Sequence, residues 1–385
     1  MITLLVVIYV IFISLGLPDS LYSVCWPLMH VDYGVDVSLG SLYSIIIALS
    51  TGFSSFCGGA LIKKFGTGKV SAFSVLLTAI GMLGTGLFSN FYAFIVFTIL
   101  SGLGAGAVDT GLNNFISLNY KALHMNWLHC FWGVGVTISP LIGSPFLKFG
   151  DWQGAYRTTA YIQILITIIV FISLIFWKKY DKSLISPEKE EKFGFLDVIK
   201  TRGVLLAILT LGLYCCIEFL LGTWGSTFLI KTRGFTADVS ALYVALYFGA
   251  ITVSRFVSGI ISLKVDTKYI IYFAIGLSAV GIALLFFFNE IITLISILLI
   301  GLGFGPIFPS IMHLIPRMFG EQKSVYITGY MTSGAYFMGF MWQVAYGFIA
   351  PITTFNIMPY VCAVACVLLF IIYRTTLKTT IDKAK

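Results

Sequence analysis

The chain has 385 residues, of which 58% are hydrophobic and 10% charged, and its net charge is +8. Soluble domains are about 25% charged, so a surface wetted all round is excluded and most of it must face lipid. The basic excess then belongs at membrane edges, and a nucleic-acid partner is not required to explain it.

A helix crosses the hydrocarbon core with about 20 apolar residues, so twelve crossings take about 240 and leave only short loops. The apolar sequence starts at Ile2 with no basic stretch before it and no small-residue cleavage pattern, which predicts a first span rather than a signal peptide. Hydropathy places helices near residues 2–29, 39–62, 70–88, 91–118, 124–147, 158–177, 203–230, 238–263, 268–288, 291–316, 323–349 and 353–373. The runs are continuously apolar and twice the length of a barrel strand, so strands of alternating polarity are excluded. The seven cysteines lie inside these runs without metal-ligand spacing and read as small buried apolar side chains.

With a cytoplasmic N-terminus, 19 of the 24 Lys and Arg fall in segments on the inner side. Positive residues accumulate there, which predicts both termini in the cytoplasm and, with such short termini, a bacterial inner-membrane protein. The longest polar stretch, with "KKYDKSLISPEKEEK", predicts a cytoplasmic linker over 178–202, partly helical near Phe193 to Lys200. It separates a six-helix bundle at 1–177 from a second at 203–385, which ends in a short tail.

The halves repeat. Gly102-Leu103-Gly104-Ala105-Gly106 returns as Gly301-Leu302-Gly303-Phe304-Gly305, 199 residues later, and the same offset carries Asp19 onto Glu218 and Gly135 onto Gly334. Parallel repeats of six-helix halves are a transporter architecture, with the solute held near the midplane between halves that rock about it. The fold class is therefore all-α integral membrane, twelve spans in two pseudo-symmetric bundles.

Ionisable groups within spans are costly and mark function. Three acids lie well inside: Asp19, Asp109 and Glu218. Gly102, Gly106, Asp109 and Asn113 share one helical face, where the glycines allow either close helix approach or a solute-sized gap. Asn126, His129 and Gly133 form a stripe on the next helix, suited either to hydroxyl groups of a solute or to neighbouring backbone. Asp19 follows Pro18, which removes a backbone donor. A desolvated carboxylate readily exchanges a proton near neutrality, so the three acids are candidates for proton coupling. The alternative is a salt bridge to Arg255, the one base inside a span, which cannot neutralise all three. Trp132, Trp224, Trp342 and Gln343 are candidate cavity residues, because flat rings pack on sugar faces, although core or interfacial packing is the simpler role for each. No metal cluster or nucleophile–base spacing appears, so neither a cofactor nor an enzyme activity is expected.

The connection "GGALIKKFGTGK" resembles the glycine-and-basic signature of major facilitator proteins, with Lys63 where an acid normally stands and Lys64, Gly66 and Lys69 matching. "GLGAGAVDTGLNNF" and "MNWLHCFWGVG" are similar to helices 4 and 5 of the fucose–proton symporter branch. By that resemblance Asp109 is the coupling carboxylate, Asp19 bonds sugar and modulates protonation, and Asn113, Asn126 and His129 stand at polar cavity positions. Asp109 is shorter than the Glu of that branch, Asn114 replaces its Pro, and Gly16 stands where it has an amide, so the solute need not be fucose. The function implied is proton-coupled symport of a sugar-like solute by a monomer in contact with lipid. A drug–proton antiporter and a transporter-like receptor are the rivals.

Overall fold

The computed structural model describes residues 2–36, 39–177 and 193–381. Residues 178–192, most of the expected linker, lie outside the described residues. The helices are α1 Ile2–Asp32, α2 Gly40–Phe65, α3 Thr67–Leu87, α4 Phe91–Asn119, α5 Ala122–Leu147 and α6 Trp152–Trp177. After the short α7 Phe195–Ile199 come α8 Val204–Arg233, α9 Ala237–Ile261, α10 Thr267–Leu284, α11 Glu290–Phe304 and α12 Ile307–Phe319. They are followed by α13 Glu321–Ile352, a single 3₁₀ turn at Phe355–Ile357 and α14 Met358–Thr380.

Eleven described segments have the length and apolarity of a span, α11 and α12 counting as one over Glu290–Phe319. The twelfth is α13, long enough at 32 residues but diluted by Gly, Ser, Thr and Gln. Among the boundaries that differ from the hydropathy reading, three have a clear local reason. The polar start of α6 is helical because Asp151 Oδ1 accepts the Gly154 amide at 2.7 Å, which caps a turn too hydrophilic to score as a span. A single residue separates α2 from α3: Gly66 adopts φ +84°, a conformation open to glycine, and lets the chain reverse at once. The tenth span breaks after Phe304, where Gly305 and Pro306 interrupt it.

The radial distribution of polarity is inverted relative to a soluble bundle. On α6, Ile172 and Ile175 are 64% and 72% exposed, whereas Ser71, Ser74, Thr78 and Thr85 of α3 are buried. Lipid supplies no hydrogen bonds, so these hydroxyls look inward, and several return to their own helix: Thr78 donates to the Ser74 carbonyl and Thr85 to that of Gly81, each at 3.0 Å. Outside the spans, Asp266 caps α10 by accepting the Lys268 amide and pairs with Arg317 at 2.9 Å. Partial burial raises its carboxyl, but the Lys268 amide and the Arg317 guanidinium outweigh that and hold it below the usual carboxylate range.

Two compact units are present. The first comprises Met1–Phe115, Leu128–Lys192 and Thr328–Ser333, and the second Ile116–Trp127, Phe193–Ile327 and Gly334–Lys385. In the first, Gly329 lies against the Ser55 carbonyl, and Tyr330 stacks on Phe56 at 4.9 Å. In the second, Trp127 stacks on Phe256 with rings 3° from parallel, and Ser258 Oγ donates to Asn126 Oδ1 at 3.1 Å.

Glycines set the helix crossings that matter for the site. On α4, a Cβ at Gly102 would strike Ser50 and one at Gly106 the Thr51 carbonyl, so α2 fills the space beside them. Of the two roles open to these glycines, close helix approach is the one observed. On α1 and α5, a Cβ at Gly16 would meet the Trp132 carbonyl, and one at Gly135 the Ile13 carbonyl. Backbone thus rests on backbone, the arrangement small residues allow between membrane helices. Gly135→Ala is expected to destabilise the solubilised protein by about 1–3 kcal/mol in thermal unfolding. Gly249→Ala and Gly276→Ala, where nothing lies within 4 Å, should leave the midpoint unchanged or raise it.

Candidate functional site

The first unit gathers polar side chains of α1, α4 and α5. On α4, Asn113 lies one turn beyond Asp109, and its Nδ2 donates to Asp109 Oδ1 at 2.8 Å and to the Asp109 carbonyl at 2.9 Å. That leaves Asn113 Oδ1 to accept from His129 Nε2 at 3.0 Å. The imidazole must therefore carry its proton on Nε2. All donors point one way, from His129 through Asn113 to the carboxylate. Asp109 and His129 are each 7% exposed and Asn113 is 0%. Phe12 of α1 packs edge-on against His129 with centroids 5.4 Å apart.

One turn further along α5, Trp132 Nε1 donates to Asp19 Oδ2 at 2.8 Å. Next to it, Ser20 Oγ donates to the Val136 carbonyl at 2.6 Å. His129 and Trp132 are three residues apart, about 4.5 Å along the helix axis. Asp19 is exposed although it lies midway along a membrane helix, whereas Asp109 is covered. The Gly16/Gly135 crossing, between Phe12 and Asp19 on α1, holds both contacts in place.

The second unit holds the third acid. Of the two roles open to Glu218 of α8, the salt bridge is the one formed: its Oε1 accepts from Arg255 Nη2 at 3.2 Å, and both side chains are buried. The Arg255 Nη2 also reaches Tyr214 Oη at 3.4 Å, and its Nε donates to the Gly305 carbonyl at 3.1 Å. The packing of α9 against α8 brings 255 and 218 face to face. Asp19 is not paired with a base in any described ion pair.

Other expected members separate. Asn126 does not join the His129 chain: it is fully buried, its Nδ2 donates to the Ala122 carbonyl at 3.0 Å, and Ser258 occupies its Oδ1. Trp224 donates to the Gln343 carbonyl at 3.2 Å, and Gln343 Oε1 accepts from Thr223 at 2.8 Å, a contact that joins α8 to α13. Trp224 also packs near Tyr346 and Phe355. Trp342 is exposed on α13. Two participants were missed by sequence reading, Tyr214 and Ser254. The signal for Ser254 was present in the repeat, because Ser54-Ser55 returns as Ser254-Arg255 200 residues later; Tyr214 has no such counterpart.

The model of the Major Facilitator Superfamily matches residues 8–343. The chain belongs to that superfamily. Family and fold are those of multi-pass membrane transporters. The chain is 25% identical over 300 residues to the glucose/mannose transporter GlcP of Bacillus subtilis, covering 74% of each chain. It is 28% identical over 225 residues to the multidrug efflux pump SdrM of Staphylococcus aureus, covering 55% of this chain and 45% of that one. Among solved structures, the superfamily transporter FucP in its outward conformation superposes with a TM-score of 0.81 over 97% of this chain and 98% of that one. At 14% identity that likeness shows the fold alone.

For this member of the superfamily the His129–Asn113–Asp109 chain is open to direct test. Asn113→Ala and His129→Ala, alone and together, should show a coupling of about 0.5–3 kcal/mol in unfolding of the solubilised protein. Effects that simply add would mean the bond is not formed.

Proposed function

We propose that the protein is a proton-coupled symporter of a sugar or similar small polar solute, with Asp109 as the coupling carboxylate. The observation that carries this reading is the one-way chain of donors from His129 through Asn113 to Asp109. A buried carboxylate supplied with oriented amide and imidazole donors has the means to exist charged and to accept a proton. A buried ionisable group of this kind within a span is the chemistry of proton relays.

Asp19 then serves the solute. It is exposed, it accepts one hydrogen bond from the Trp132 indole, and its other oxygen remains available for a hydroxyl. The Trp132 ring beside it offers an apolar face with a polar edge, the combination suited to a sugar ring. Because His129 and Trp132 lie within one turn of each other on α5, a solute that moves Trp132 also disturbs the donor chain to Asp109. That is a physical route from solute to proton. Likeness to a glucose/mannose transporter supports the solute class. We further place both termini on the cytoplasmic side of an inner membrane, from the distribution of Lys and Arg.

A second reading, proton-coupled drug efflux, is favoured by the match to SdrM. The fold and the acids serve either direction, but greasy cations call for an apolar cavity, and amide, imidazole and indole groups argue for a hydroxylated solute.

Reconstituted into proteoliposomes, the protein should take up protons on addition of a transported sugar from a hexose panel that begins with glucose and mannose. Dye efflux without a sugar response would favour the second reading. Asp109→Asn should abolish accumulation driven by a pH gradient, by at least about tenfold if it removes a step worth ~1.4 kcal/mol, while equilibrium exchange of the same sugar continues. Undiminished uphill uptake would remove Asp109 from the mechanism.

A further inference from the structure

The break between α11 and α12 leaves a definite hydrogen-bond deficit, and the side chains that make it good can be named. In an α-helix the amide of residue i bonds the carbonyl of residue i−4. Pro306 has no N–H for the Leu302 carbonyl, and Pro309 has none for the Gly305 carbonyl. Both carbonyls lie in a buried stretch of a membrane helix, where water does not replace the missing donors. Ser254 Oγ donates to the Leu302 carbonyl, and Arg255 Nε donates to the Gly305 carbonyl at 3.1 Å. Two adjacent residues of α9 thus meet the two vacancies two prolines create.

The repeat strengthens the assignment. In the first unit the equivalent serines of α2 reach the equivalent carbonyls of α4: Ser54 Oγ donates to Leu103, and Ser55 Oγ donates to Gly106 at 3.1 Å. There α4 has no proline, and the Ala107 amide bonds Ser54 Oγ at 3.1 Å, so the hydroxyl is inserted into an otherwise continuous ladder. Where the second half gains prolines, the second serine is replaced by arginine. A guanidinium cannot be left bare in this setting, and Glu218 supplies the opposite charge at 3.2 Å. Tyr214 adds its hydroxyl at 3.4 Å and lays its ring near Phe304 and Phe308, one on each side of the break.

We infer that Ser254 and the Glu218–Arg255 pair form a staple that supplies the hydrogen bonds missing at the α11–α12 break and holds its two arms in register against α8 and α9. Arg255 is a positioning residue. Glu218 serves as its counter-ion and is not a proton carrier, so the acids that exchange protons are confined to the first unit.

The test uses the purified full-length chain and needs no solute. Removing one charge would strand the other, so Glu218→Leu and Arg255→Leu are combined, and amide hydrogen exchange is followed over residues 300–312. Loss of one buried hydrogen bond should speed exchange there about five- to tenfold. Adding Pro309→Ala gives the Gly305 carbonyl a backbone donor and should return exchange to within about twofold of the parent. A role in packing alone would not be reversed by a substitution that adds no contact to α8 or α9. Unchanged exchange in the double variant, or no recovery with Pro309→Ala, would overturn the proposal. If the double variant does not fold, the uncharged arm decides: Ser254→Ala should speed exchange over the same residues and Pro306→Ala should cancel the effect. Equal exchange in Ser254→Ala and the parent would overturn it as well.

Discussion

Backbone rests on backbone where α1 crosses α5, and the chemistry of the first unit depends on that contact. Gly16 and Gly135 have no side chains to hold the helices apart, so Asp19 comes within hydrogen-bond reach of Trp132 and Phe12 comes against His129. A side chain at either glycine would push the helices apart by more than a hydrogen bond tolerates. The same crossing therefore sets the exposed carboxylate on its indole and orders the imidazole that begins the chain to Asp109.

A second constraint is the absence of water around buried polar groups. Each half answers it with donors from one helix to carbonyls of another, but with different charge. The first half uses hydroxyls at Ser54 and Ser55 and carries two acids within its spans, Asp19 and Asp109. The second half uses Ser254 and Arg255 and closes its charge on Glu218. Phe308 stands at the repeat position of Asp109 and is buried beside the Tyr214 ring. An ancestral symmetry of backbone is thus overlaid by an asymmetry of charge, which concentrates the groups able to change protonation in one unit.

Much of this was legible in the sequence because the relevant signals are local. Hydropathy gives spans, a 199-residue offset gives the repeat, and helical spacing alone puts Asp109 and Asn113 on one face. What it did not give depends on which helices touch. Which of the three acids Arg255 would meet was open, because it lies on another helix 37 positions from Glu218, and only the packing of α8 on α9 brings that pair to 3.2 Å. Asn126 and His129 share a stripe, yet Ser258 takes the first and Asn113 the second. The break at Gly305-Pro306 was hidden because hydropathy stays high across it. The prolines were visible, but their donors lie on α9 and no periodicity reveals them.

The central claim is that Asp109 itself gains and loses a proton. Infrared difference spectra of the membrane-reconstituted protein, recorded between mildly acidic and alkaline buffer, test it without knowledge of the solute. In an Asp19→Asn background, a carboxyl carbonyl band should appear on acidification, persist when Glu218→Gln is added, and vanish when Asp109→Asn is added. A band that survives Asp109→Asn unchanged, or that vanishes instead in Glu218→Gln, would contradict the account.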